Sequence, residues 1–396
     1  MSTRLFAPIR ESCLRVHARR ATLLVLIATA VLLALSAPAS ADTWVVTNTN
    51  DDGAHSLRWA IDHANSNPNA DLITFDLSGC PCTITLASQL PKVTDTLAIM
   101  GPGADQLTVS GNNAVRVLEA DLGVSLTLEG LTIADGAHDT MGAGVYTQGP
   151  LTVTDCVFAG NSTVGSGDQR GGAIYFHNYG GTLTVAGSTF VNNTAHSLVA
   201  AGGAIYVYGN ANITNSTFSG NTTTPVDSWG DGSAVYFWGE SQTMTMTHCT
   251  VYSNTSFSDD PGNHSPGAVY VGSGTATLKN TIIASNIGGN CGGDGTITDG
   301  GGNLQFGDTT CGATIPVADP TLGPLTDNGG PTPTMALLQG SPAVDACSCT
   351  TVATDQRRMS RPFDYPGMDN GGLCDSGAYE ASLWRVFLPT VLQDVQ

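Results

Sequence analysis

Charge is scarce in this chain. Of its 396 residues, 12% are Asp, Glu, Lys or Arg, against a usual share of roughly 25%. Lys and Arg number 14 and Asp and Glu 33, for a net charge of -19. So few charges exclude a long solvated helix or a coiled coil. So few basic residues exclude nucleic acid as a partner, because that binding rests on Lys and Arg meeting phosphate. They equally exclude electrostatic docking on an anionic membrane. Ser/His/Asp triad motifs, a P-loop and a dinucleotide fingerprint are all missing. Cys80-Pro-Cys82 and Cys347-Ser-Cys349 have one residue between their cysteines, too few for a zinc site. What the chain has instead is 48 glycines and a hydrophobic content of 41%, which argues for a folded, turn-rich molecule.

Long apolar runs are missing too, with one exception. Ala21–Leu35 follows Arg4, Arg10, Arg15, Arg19 and Arg20 and precedes Ala39-Ser-Ala41. This is the order of a secretory signal peptide, assigned to residues 1–41. An uncleaved N-terminal anchor is the alternative. The remainder is expected to be secreted or held at the cell surface, where disulfides form. Cys291 with Cys311, and Cys374 with either Cys347 or Cys349, are the expected pairs. Cys80 and Cys82 are judged too close for an easy unstrained bridge. The ten cysteines become nine once Cys13 leaves with the signal, and that odd count leaves at least one thiol free or intermolecular.

The middle of the chain repeats itself. Segments of one pattern begin at Leu126, Leu151, Leu183, Ala211, Met244 and Ala276, and end at Gly136, Asn161, Asn193, Asn221, Asn254 and Asn286. The spacings are 25, 32, 28, 33 and 32 residues. A second strand recurs between them at Val145-Tyr146, Ile174-Tyr175, Ile205-Tyr206, Val235-Tyr236 and Val269-Tyr270. A period near 30 with short strands, Gly-rich turns and no helical periodicity predicts a β-solenoid. Roughly seven or eight coils are expected over residues 83–287. A β-propeller needs longer, four-stranded repeats and a Trp-Asp signature. Leu151 and Val153 share one face by alternation, and so do Leu183 and Val185. The asparagines at 161, 193, 221, 254 and 286 fall at one turn and are expected to form a ladder from coil to coil.

The repeat resembles that of the polymorphic outer-membrane proteins. Phe158-Ala-Gly-Asn161, Phe190-Val-Asn-Asn193 and Phe218-Ser-Gly-Asn221 carry its F-x-x-N half, and Gly171-Gly-Ala-Ile174 and Gly202-Gly-Ala-Ile205 its G-G-A-I half. Later coils depart from it at Val251 and Ile283. Ser56-Leu-Arg58 with Ala60-Ile61 resembles the CSLREA-type module of bacterial surface proteins, although His55 and Trp59 replace its Cys and Glu. Asp319-Pro-Thr-Leu-Gly323, Gly340-Ser-Pro-Ala-Val-Asp345 and Asp375-Ser-Gly-Ala-Tyr-Glu380 resemble the choice-of-anchor Q module. The resemblance covers most of residues 44–380. It implies a right-handed, single-stranded parallel β-helix of the pectin-lyase-like kind, a secreted or surface location, and no particular reaction.

The expected organisation is an N-terminal cap over 42–82, a β-helix over 83–311, a C-terminal module over 312–380 and an apolar tail over 381–396. In the cap, Leu57, Ala60, Ile61 and Ala64 have helical spacing, and Ser56 suits an N-cap. Such a helix covers the open end of a solenoid, and Arg58 reads as a structural contact. Asp345, Asp355, Arg357, Asp375 and Glu380 are expected to form an ion-pair network that orders the C-terminal module. The tail is read with equal weight as a sorting signal or as a final strand.

Three features of the solenoid could carry function. Loops after the asparagines bring Asp168, Arg170, His196, Asp227, Trp229, Asp231, Asp259, Asp260 and His264 to one flank, where function concentrates but where loop polarity is the simpler reading. Tyr146, Tyr175, Tyr206, Tyr236 and Tyr270 should stack; if they face outward they form, with Trp229, an aromatic strip for a sugar chain, and otherwise a structural ladder. Asp227 with Asp231, Asp259 with Asp260, and Asp294 with Asp299 are oxygen-rich turns of the kind that hold calcium; no other cofactor is expected. The reading that results is structural or adhesive, with a polysaccharide or cell-surface glycan as partner and no catalysis. The alternative is a polysaccharide lyase or glycoside hydrolase. Its carboxylates would have to converge on one strand face beside Arg116 or Arg170, at about 5–5.5 Å or about 6.5–9.5 Å in a glycosidase.

Overall fold

Successive coils superimpose apolar residue on apolar residue. Leu151 pairs with Leu126 and Leu183, and the column continues through Ala211, Met244 and Ala276. Two residues on, Leu128, Val153, Val185, Ile213, Met246 and Leu278 form a second buried column. The pairing is parallel throughout the solenoid, so strands exposed on neither end stack into one continuous interior. This computed structural model describes residues 41–165, 167–226, 230–257, 266–349, 352–363 and 371–382. The segment read as a signal peptide and the apolar tail beyond residue 382 lie outside the described residues.

About eight turns are built from a thirteen-stranded first sheet, a nine-stranded second sheet and smaller third and fourth sheets of five and three strands. The parallel ladders rule out the propeller. In the later coils the two halves of the repeat fuse into long strands of the first sheet, Ile174–Ala186, Ile205–Thr214, Val235–Thr247 and Val269–Lys279. The register slips in the middle of each pair. The second sheet stacks Phe158, Phe190 and Phe218 in the interior, with ring centroids 5.0 and 4.8 Å apart. Each fully buried side chain of this size stabilises by about 1.5–3 kcal/mol.

The corners explain the recurring small polar residues. Gly130, Asp155, Gly187, Asn215, His248, Asn280 and Gly302 occupy the corner between first and second sheets, all at positive φ. Gly, Asn, Asp and His tolerate that region better than other residues. The next corner is turned by Asp135, Gly160, Asn192, Gly220, Ser253 and Ser285, again at positive φ, each immediately before a ladder position. The ladder itself is as the sequence predicts. Each Nδ2 of Asn161, Asn193, Asn221 and Asn254 donates to the Oδ1 of the next asparagine at 2.9–3.0 Å. Each also donates to a backbone carbonyl of the preceding coil: Ile133, Phe158, Phe190 and Phe218. Asn286 closes the series by donating to Val251 O and Asn290 Oδ1.

Among the described residues a single helix, Leu57–Ser66, lies over the first coils. Ser56 Oγ accepts from Trp59 N, and Leu57, Ala60, Ile61 and Ala64 are its buried face. Arg58 pairs with Asp51 at 2.7 Å and donates to the carbonyls of Ser88 and Gln89, which ties the helix to the loop beneath it. Among the described residues no helix is long and apolar enough to cross a membrane.

Beyond the last coil the chain folds back along the outside of the second sheet. Thr332 Oγ1 donates to Gly187 O, Thr189 Oγ1 to Pro333 O and Thr217 Oγ1 to Gln356 Oε1, while Arg358 pairs with Asp155. Within this module Arg357 binds Asp355 at 2.7 Å and lies 3.5 Å above the Tyr379 ring. Arg361 pairs with Glu380, and Asp375 accepts from the Asp345 and Ala381 amides. Of the expected network two ion pairs form, Arg357–Asp355 and Arg361–Glu380, the second through an arginine the sequence reading omitted, and Asp375 joins through backbone amides instead of an arginine.

Cys291–Cys311 and Cys349–Cys374 are bridged. Cys80 and Cys82 are bridged as well. The chain turns at Pro81 and holds their Cα atoms 4.4 Å apart, at the short end of the disulfide range. Cys156, Cys249 and Cys347 are free and buried. Burial pushes all three thiols up to about 12, so they stay protonated and unreactive at neutral pH.

Candidate functional site

The tyrosine column sits on the outer face of the first sheet. Ile174, Ile205, Val235 and Val269 point inward, so the next residue of each strand points out. Tyr146, Tyr175, Tyr206, Tyr236 and Tyr270 are paired in register. Their ring centroids are 5.2, 5.2, 5.1 and 4.9 Å apart and nearly parallel. The stack is there, but the open strip is not. Tyr175, Tyr206, Tyr236 and Tyr270 are only 4–6% exposed. The loops that follow the asparagines return over them as the small fourth sheet, made of Asp168–Arg170, Val199–Ala201 and Gly230–Asp231. Ala201 packs directly on the rings. Arg170 donates to Tyr206 Oη at 3.0 Å and lies 5.1 Å above that ring, and Arg116 lies 5.0 Å from the Tyr146 ring centre. Burial raises the phenols of Tyr175, Tyr206, Tyr236 and Tyr270, which keeps the column neutral. Its ring faces are used against one another, so a sugar chain cannot lie along it.

The open aromatic surface is two residues further along the same strands. His177 and Tyr208 stack at 4.7 Å, and Tyr179 leans on Tyr208 at 5.7 Å. Trp238 is parallel to Tyr236 within 2°. Its indole overhangs Gly272 of the next coil, where a Cβ would come within 2.6 Å of Trp238 Cε3. Glycine at 272 thus makes room for the indole. Tyr179 is 46% exposed and Trp238 38%. The sequence reading missed this set. Its signal was the second period of alternation after each column tyrosine, at Tyr175/His177, Tyr206/Tyr208 and Tyr236/Trp238.

The polar candidates divide. Asp227, Trp229, Asp259, Asp260 and His264 lie outside the described residues. Asp231 is buried, and burial pushes its carboxyl up to about 7. Asp168 lies 3.4 Å from Arg170, and His196 meets Thr224 Oγ1 at 2.8 Å. Asp299 accepts from Gly301 N, Asn303 Nδ2 and Thr314 Oγ1, so its oxygens hold its own turn. Among the described residues no three His, Cys, Asp or Glu side chains are grouped so as to hold a metal ion.

The chain matches no family model, no curated protein and no solved structure. Chemically, the site offers a set of exposed and half-exposed rings carried on strands, which suits CH-rich sugar faces and ring stacking. Both nearby arginines are engaged, Arg170 as above and Arg116 through Gly142 O, Glu119, Thr140 and Met141 O.

Proposed function

We propose that this is an exported surface protein with a structural or adhesive role, a rigid rod that holds a glycan-contacting aromatic face. The observation that carries the reading is the group of exposed Tyr179 and Trp238 with half-buried Tyr208 between them, in register with Trp238, buttressed from behind by the buried tyrosine column. The basic n-region and apolar run at the N-terminus support export. The resemblance to bacterial surface repeats supports the location. With a net charge of -19 the chain repels polyuronates, so a neutral glycan is the better partner. A lyase base must be free to take a proton, and the engagement of Arg116 and Arg170 speaks against either in that role.

A glycan array probed with the full secreted chain tests this. Binding to neutral glycans that falls about ten-fold in Trp238→Ala supports the reading. Signal on no neutral glycan, or signal indifferent to Trp238, refutes it.

A further inference from the structure

A cleft of about 460 Å³ opens where the N-terminal cap meets the first complete coils, lined by Gln89, Asn113, Val115, Arg116, His138, Asp139 and their neighbours. Its size is that of a small-ligand pocket. Arg116 forms its back wall. Arginine only donates hydrogen bonds, so the 3.2 Å contact between Arg116 Nη2 and His138 Nδ1 makes that nitrogen an acceptor. The amide of Thr140 donates to the same atom at 3.1 Å. The His138 proton therefore sits on Nε2 and the ring is neutral. Its 3.4 Å approach to Asp139 through Nδ1 is not an ion pair. Burial and the Arg116 charge lower the His138 pKa, in accord with that tautomer.

The cationic charge is balanced inside the wall, because Arg116 binds Glu119 at 2.6 Å. What remains at the cleft is a mixture of neutral donors and acceptors with one exposed carboxylate, Asp139. His138 keeps Nε2–H, and Gln89 donates its amide to Glu119 at 3.0 Å and so keeps Oε1. Asn113 brings both a donor and an acceptor, and Asp139 brings a carboxylate whose side chain is 83% exposed. Ala114, Ala137 and Val164 supply a small apolar wall. Vicinal hydroxyls, each of which donates and accepts, match this set; a phosphate or a uronate meets no uncompensated cation.

We infer that the cleft between Asn113, His138 and Asp139 binds a single sugar unit of a neutral glycan, as a subsite separate from the Trp238 aromatic face. This rests on the glycan-contact reading and adds to it a polar subsite some coils away.

The test is calorimetric titration of the full chain with cellohexaose, xylohexaose and mannohexaose, with trigalacturonic acid as the charged comparison. Asn113→Gly, which suits the positive φ of that position, with Asp139→Asn should weaken binding of the preferred neutral oligosaccharide about ten-fold, the loss of two hydrogen bonds, with a nearly unchanged melting temperature. Asp139→Asn alone, at an exposed position, guards against a folding defect and should give part of that loss. Full affinity in these variants, with binding lost in Trp238→Ala, would overturn the cleft but leave the aromatic face standing. Tighter binding of trigalacturonic acid than of any neutral sugar would overturn the cleft's assigned chemistry. No binding of any neutral oligosaccharide by the unaltered chain would remove both readings.

Discussion

The carboxamide of Asn161 donates to the carboxamide oxygen of Asn193 at 2.9 Å, and the backbone N–H of Asn161 reaches the same oxygen at 3.0 Å. One oxygen thereby holds two donors of the neighbouring coil, wholly out of water. The next three rungs, from Asn193 to Asn286, repeat this geometry.

Replacing Asn193 by Ala would strip Asn161 N of its acceptor and take one partner each from Asn161 Nδ2, Phe158 O and Asn221 Oδ1, while Asn161 Nδ2 keeps Ile133 O and Asn221 Oδ1 keeps the backbone N–H of residue 193. A buried group left without its partner costs about 1–3 kcal/mol, so Asn193→Ala should destabilise by about 2 kcal/mol or more in chemical denaturation. A loss under about 1 kcal/mol would mean that the ladder follows the fold and does not hold it.

The C-terminal module should depend on its buried ion pairs. Asp355 is fully buried and binds Arg357 at 2.7 Å. Arg357→Ala leaves that carboxylate with backbone amides alone, and breaking a buried pair costs about 3–5 kcal/mol. The melting temperature of Arg357→Ala should fall clearly, and an unchanged value would count against the network.

The tyrosine column should matter to stability and not to binding. Tyr206→Ala removes a ring stacked on both sides at 5.2 and 5.1 Å and the Arg170 contact. Truncating a large buried aromatic costs about 3–5 kcal/mol. Glycan affinity measured well below the melting point should be retained. Lost affinity in a folded Tyr206→Ala protein would return the column to the binding site.

His248 gives a pH signature. Burial, and after it the charge of Arg361, pushes its pKa from 6.5 down to about 3. Asn280 Nδ2 lies 3.0 Å from its Nε2, and Lys279 adds to the repulsion while the carbonyls of Asp375 and Gly377 oppose it. Between those two values an unfolded chain takes up a proton that the folded chain refuses, so stability falls as pH falls through this window. The slope is at most about 1.4 kcal/mol per pH unit. His248→Asn keeps a residue suited to positive φ, as at Asn215 and Asn280 in the adjacent coils, and cannot titrate. Denaturation across that range should show the unaltered protein losing stability relative to His248→Asn as acid is added. Parallel curves would show that His248 is protonated in the fold.

Much of this architecture was legible because its causes are local. Alternation at Leu183 and Val185, the N-cap at Ser56 and the recurring Asn each declare a position within a few residues. The corner residues at 155, 215 and 248 also follow from positive φ. The covering of the tyrosine column was not legible. It depends on where the loops ending at Arg170, Ala201 and Asp231 return, and their sequences carry no periodic signal. That hidden cover is why the open face proved to be His177, Tyr208 and Trp238 and not Tyr175, Tyr206 and Tyr236. The docking of Gln356 onto Thr189 and Thr217 joins residues more than a hundred positions apart, and no short-range pattern encodes it.

Affinity electrophoresis of the folded chain and of Trp238→Ala, through gels with and without soluble neutral polysaccharide, tests the central claim most directly. The account predicts retardation of the unaltered protein by at least one neutral polysaccharide, restored mobility in Trp238→Ala, and no retardation by polygalacturonate. Equal mobility of the two proteins in every gel would contradict it.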